Sequence, residues 1–211
     1  MHRPGRWLLP IVVLVLSVLA TAPVAFGRSD HVRWDIVSLD FSTTPATANA
    51  GGEAFAEAFA TADTPGTHLK IRFTGTGTFV APASGGTSGA VTGGGDWETF
   101  VDDVSTGSGT YQVTKLASWE FANFQTPGTI IDHIGDVNER ASGNAVFLIE
   151  YSDGSKGTLV IGCHGPGAPD GIFEGVTATK GYVTYWNPEV PPPPPGDANR
   201  TLFHLRMSKH H

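Results

Sequence analysis

Two glutamates sit inside apolar runs of this 211-residue chain: Glu150 in VFLIEYSDG and Glu174 in GIFEGVTAT. A carboxyl group facing an apolar interior is harder to ionise, so its pKa rises and it can act as acid, base or polar anchor for a ligand. The competing reading for each is a cross-strand pair with Lys180, Lys115 or Arg72, or simple exposure to water. Cys163-His164 has the composition of a thiolate and imidazole pair. Adjacent strand residues point to opposite faces, however, so a nucleophile and base dyad would need a bulge there. An inert buried cysteine is expected, with His164 opening the loop HGPGAPDG.

The stretch DHIGDVNE (132–139) gathers Asp132, His133, Asp136 and Glu139, all donors a cation could use. Its spacing fits neither an EF-hand loop nor an HExxH helix, so turn-capping aspartates are expected, and neither a metal nor a cofactor is. Trp97, Trp119, Phe173, Tyr182, Tyr185 and Trp186 could wall an apolar ligand or a sugar ring, and they are equally what a β-sheet core uses. Asn199-Arg200-Thr201 is a sequon that matters only in a source that glycosylates.

Period-two patterning dominates the elements that must position these groups. VRWDIVSLDF (32–41) reads as a strand. GGEAFAEAFATA (51–62) has helix-favouring composition, but its alternation of alanine with Glu and Phe predicts a strand, turned by Pro65-Gly66 into HLKIRFTGTGTFV (68–80). A Gly/Ser/Thr-rich loop (82–95) leads to DWETFV and then to the long strand TYQVTKLASWEFANF (110–124). There Tyr111, Val113, Trp119 and Phe121 should share one face. Asp153-Gly154 marks a tight hairpin inside NAVFLIEYSDGSKGTLVIGC, whose arms are apolar on both faces and so should be covered on both. The segment from Gly171 is expected to run as a strand to Trp186, with its glycines letting a bulky side chain lie on the backbone. Pro191–Pro195 reads as a stiff spacer of about 15 Å, and 199–207 as a final strand of the same domain.

The chain opens MHRPGRWLLPIVVLVLSVLATAPVAFG, two arginines and an apolar core too short to span a bilayer, which predicts a secretory signal over 1–27, cut after Gly27. Its removal leaves 11 basic and 20 acidic residues, a net charge of −9. An acidic domain of this kind is a poor partner for nucleic acid or an anionic membrane surface, and no stable membrane span is expected after cleavage. With one cysteine there is no internal disulfide, so a secreted or periplasmic fold must be held by packing. The predicted organisation is one all-β domain over 28–190, a Pro-rich connector at 191–198, the returning strand at 199–207 and a tail at 208–211. About eight strands with local connections and no crossover helix imply an antiparallel barrel, closed or nearly closed.

Gly171-Ile172-Phe173-Glu174-Gly175-Val176 and Gly181 resemble the G-x-F-E-G segment of allene oxide cyclase and related dirigent-like barrels. GTGTF, VTGGGDWETF (91–100), EYSDGS (150–155) and FEGVTATKGYVTYWN (173–187) are similar to secreted bacterial proteins with that domain. The resemblance implies a calycin-like, eight-stranded barrel and suggests homo-oligomers. It carries over no cyclase residue, because none of the enzyme's pocket positions can be matched here. Three functions are therefore expected in order: a secreted barrel binding a small apolar or amphipathic molecule, or a partner; a cyclase-like or isomerase-like enzyme using Glu174 or Glu150; and a filled barrel acting through surface or oligomer contacts.

Overall fold

The computed structural model describes residues 30–58, 66–81 and 90–207. The N-terminal segment read as a signal, Phe59 to Pro65 with the end of the alanine-alternating run, residues 82–89 of the Gly/Ser/Thr loop and the tail 208–211 lie outside the described residues. The fold is all-β. Fourteen strands form one sheet: β1 (Asp30–Asp40), β2 (Thr47–Ala50), β3 (Ala54–Glu57), β4 (Leu69–Phe73), β5 (Thr76–Ala81), β6 (Val91–Val101), β7 (Val104–Phe124), β8 (Ile131–Asp132), β9 (Arg140–Tyr151), β10 (Lys156–Cys163), β11 (Gly175–Lys180), β12 (Val183–Tyr185), β13 (Asn187–Pro188) and β14 (Arg200–Arg206). Among the described residues no helix is long and apolar enough to cross a membrane.

Six of these strands close on themselves. β1 pairs with β5, β5 with β6, β6 with β7, β7 with β9, β9 with β14 and β14 with β1, every pair antiparallel. The remaining strands flank this ring: β4, β3 and β13 extend from the second half of β6, and β10, β11 and β12 from β9. β2 and β8 lie outside β1 and pair in parallel. The expectation of about eight strands includes 68–80 as one unit. The structure divides it at Thr74-Gly75, so that β4 and β5 occupy successive stretches of the same edge of β6.

The alternation that favours strand over helix in 51–62 holds where it can be seen, with Ala54 and Ala56 fully buried on β3. The face assignment on β7 holds only in part. Tyr111 and Val113 point inward, but bulges after Val113 and Leu116 each add a residue, so the inward series continues at Leu116 and Trp119. A third irregularity follows Phe121, which is 43% exposed instead of joining the inward aromatic face.

Aromatic rings occupy the ring interior. Trp34 lies 5.4 Å from Phe147, Phe147 5.7 Å from Phe79, Phe79 5.3 Å from Trp119, and Trp119 4.8 Å from Phe203. A second group joins Phe73, Tyr111, Tyr151 and Trp97 in edge-on and tilted contacts. Such pairs contribute about 0.5–1.5 kcal/mol each beyond burial. The glycines of TGTGT and VTGGG make room for this layer: a Cβ on Gly77 would stand 2.7 Å from Trp34 Nε1, and one on Gly93 2.9 Å from Trp34 Cζ2. The packing that a chain without disulfides needs is concentrated here.

At the hairpin, Gly154 takes φ +84° while Asp153 keeps a negative φ, and the Asp153 carboxylate accepts from Ser155 N and Oγ. The loop is thus longer than a two-residue turn, running from Tyr151 to Ser155. Leu148 on β9 is 39% exposed, so this hairpin is not covered on both faces. The proline run is a turn, closed by Gly196 N–H donating to Pro193 O at 3.0 Å, rather than an extended spacer. It delivers β14 between β1 and β9, where it completes the ring.

Candidate functional site

β10 ends at Cys163, and the chain leaves the sheet in a loop that returns at β11. Residues 171–174 are not strand, contrary to the sequence reading; the chain enters β11 only at Gly175, which takes φ +111°. The anticipated contact of a bulky ring with a glycine backbone exists, but one strand over. Gly162, opposite Gly175 in the β10–β11 ladder, would place a Cβ 2.8 Å from the Phe173 ring.

The bend aims Glu174 back at the sheet. Its Oε2 accepts the backbone N–H of His164 at 2.6 Å, and its Oε1 accepts the N–H of Thr201 at 2.7 Å with Thr201 Oγ1 3.3 Å away. One carboxyl group therefore ties both ends of the loop to the start of β14. Burial pushes its pKa up to about 7, against the N–H bonds from Thr201 and His164 and the nearby Arg200 guanidinium, which favour the charged form.

Glu174 forms part of a cleft of about 420 Å³ on the outer flank of the ring. Val37, Leu39, Ile130 and Leu202 give it an apolar side; Gln125, His164, Arg200 and Thr201 give it a polar one. The apolar side belongs to a small second core in which Val37, Ala48 and Leu202 are buried against Leu39, Ile130 and Ile134. On the other side of Glu174 lies a second depression of about 460 Å³, lined by Phe173, Val190 and Pro191 among others. His164, Glu174 and Arg200 line both. The His164 ring donates from Nδ1 to Ile172 O at 2.8 Å, which leaves Nε2 as an acceptor when the ring is neutral.

Cys163 is buried beside this cleft, its Sγ donating to Thr201 O at 3.3 Å and accepting from Gln125 Nε2 at 3.3 Å. Burial raises the thiol well above its ordinary pKa. With His164 exposed and turned to Ile172, the two make no dyad.

Glu150 does not join Glu174. It is exposed, opposite Lys156 on β10 and Gln112 on β7. The six aromatic candidates are equally dispersed. Trp97 and Tyr185 are buried in the core, and Trp97 donates from Nε1 to Thr110 O with Lys180 Nζ 4.1 Å above its ring. Trp119 packs between Phe79 and Phe203. Tyr182 is 99% and Trp186 56% exposed. Phe173 alone is beside Glu174, in the second depression.

The donors of DHIGDVNE point to separate partners. Asp132 Oδ2 meets His204 Nε2 at 2.9 Å, His133 Nδ1 meets Asn49, Asp136 caps the 3₁₀ turn Val137–Glu139, and Glu139 pairs with Arg206. Asn199 of the sequon is buried with φ +60°, its Oδ1 accepting Phe55 N–H at 2.7 Å, so a glycan there is incompatible with this fold. Sequence reasoning missed Gln125, Thr201 and Leu202 as cleft residues and saw Arg200 only within the sequon. Their common signal, adjacency to Cys163 across strands, is tertiary. No family model matches the chain, and neither does any curated protein or any solved structure.

Proposed function

We propose that this is an exported β-barrel protein that binds a small apolar or amphipathic molecule, and that it does so in the flank cleft rather than inside the ring. The observation that carries the reading is a cleft whose one side is the apolar Val37, Leu39 and Leu202 and whose other holds the Glu174 carboxyl, its pKa pushed up to about 7 by burial. A pocket of predominantly apolar surface with a few converging polar groups is the usual form of a small-ligand site. The interior, by contrast, is occupied by aromatic rings. With it we propose a calycin-like kinship to allene oxide cyclase and dirigent-like barrels, here with six strands in the closed ring, together with the signal at 1–27 and extracytoplasmic localisation.

The second reading is an isomerase in which Glu174 transfers a proton; its support is the same titration near neutrality. The filled ring supports the third, a scaffold acting through surface contacts.

The test is titration with an uncharged, environment-sensitive dye such as Nile red. Binding is expected for the native chain. Leu39→Glu, which puts charge on the apolar side of the cleft, is expected to weaken it about tenfold. Equal affinity in the folded variant sinks the flank cleft as the site.

A further inference from the structure

The two depressions that meet at Glu174 constrain what can occupy them. They are similar in size, about 420 and 460 Å³, and share His164, Glu174 and Arg200 as a common wall. Apolar side chains lie on both far sides, Val37, Leu39 and Leu202 on one and Phe173, Val190 and Pro191 on the other. The polar groups common to both are thus central, with Glu189 on the rim of the second depression and Gln125 and Thr201 on the polar side of the first, while the apolar surface lies away from the shared wall. A surfactant-like molecule with a charged head at one end has the opposite distribution, and would lay its chain over the polar wall, stripping water from those groups without replacing their hydrogen bonds.

Resting on the ligand-binding reading above, we propose that the occupant is an uncharged molecule with its polar group at mid-length, a ketone or ester carrying two apolar arms, which straddles the His164, Glu174 and Arg200 wall. The central carbonyl accepts from an N–H of the Arg200 guanidinium, whose Nη2 already donates to Pro192 O at 3.1 Å, and from the Glu174 hydroxyl when that carboxyl, both of whose oxygens also accept backbone N–H bonds, is protonated. Each arm enters one depression.

This arrangement depends on pH through Glu174. The titratable and charged groups around it are Cys163 at the end of β10, His164 in the loop, Arg200 on β14 and Glu189 on the rim of the second depression. Arg200 favours ionised Glu174, burial opposes it, and ionisation removes the donor and sets a negative charge against the carbonyl oxygen. Affinity for such a ketone must therefore fall as pH rises through neutrality.

The experiment is a ¹H–¹⁵N correlation titration of the full chain with 5-nonanone, and separately with nonanoate, at pH 6 and pH 8. The ketone is expected to shift amides on both sides, Leu39 and Leu202 together with Phe173 and Val190, with one midpoint. That midpoint should rise about three- to tenfold at pH 8, the range of one hydrogen bond, and Glu174→Gln should abolish the rise. Shifts confined to one side, no pH dependence in the native chain, or equal two-sided binding of nonanoate would overturn the mid-polar ligand while leaving cleft binding intact. Absence of shifts with both compounds would overturn the binding reading itself. The native-chain comparison decides the matter even if the variant fails to fold.

Discussion

Glu174 holds Thr201 by its backbone N–H at 2.7 Å, and through that bond a loop carboxyl group 27 residues away fixes the first residues of the strand that closes the ring. A group in that position couples proton binding to the integrity of the ring.

The sign of that coupling follows from the raised pKa. Glu174 titrates at about 7 in the folded chain against an ordinary 4.5, so the folded state holds its proton more tightly. Its contribution is complete below about pH 4.5 and is lost as pH rises through 7. Allowing for its partial exposure to the cleft, the loss is on the order of 1–3 kcal/mol. Urea midpoints of the native chain should fall between pH 5 and pH 8.5, and Glu174→Gln should flatten that slope. An equal slope in the variant would assign the dependence elsewhere.

Cys163 should resist thiol reagents. It is 1% exposed, hydrogen-bonded on both sides, and burial disfavours its thiolate. Ellman's reagent should leave the native protein unlabelled over an hour and label it at once in denaturant. Rapid native labelling would mean that the Glu174 loop opens.

Gly162→Ala is expected to cost roughly 1–3 kcal/mol, since the new methyl would meet Phe173 O at 2.5 Å and the Phe173 ring at 2.8 Å. The strain falls on the loop that carries Glu174, so dye or ketone affinity should fall along with stability. A variant as stable as the native chain would show that Phe173 is free to move away.

Lys180→Met tests a different contact. Lys180 Nζ lies 4.1 Å from the Trp97 ring centroid and 4.7 Å from that of Tyr151, and pairs with Asp153 and Ser155. Loss of about 1 kcal/mol is expected, less at high salt for the native chain. Thermal melts of both proteins at low and high salt would read it, and no difference at either salt would reduce the stack to a surface contact.

The strands were legible where alternation runs unbroken. Val32, Trp34 and Ile36 point into the ring as their spacing requires, and Ala54 and Ala56 overrule the helix-forming composition around them. Alternation cannot report a bulge: the two in β7 move the inward position to Leu116 and then back to Trp119, which no composition reveals, and Phe121, in phase with Trp119, is exposed near the end of the strand. Glu174 was singled out by its apolar neighbours in sequence, and its environment is indeed desolvated. The groups that oppose that desolvation, Thr201 and Arg200, arrive from the far end of the chain. Glu150 has equally apolar neighbours and faces water. What separates the two is a turn at Gly175 whose φ no residue pattern specifies.

β14 supplies one stave of the ring, between β1 and β9, yet among the described residues it is the last strand to be synthesised. The circle cannot close while residues 200–206 are still in the ribosome. Until then Trp34 and Trp119 lack Phe203, and β1 lacks its partner on that edge. Closure is thereby deferred to the end of the chain: the sheet can be laid down strand by strand, but the barrel is sealed only when its final stave arrives.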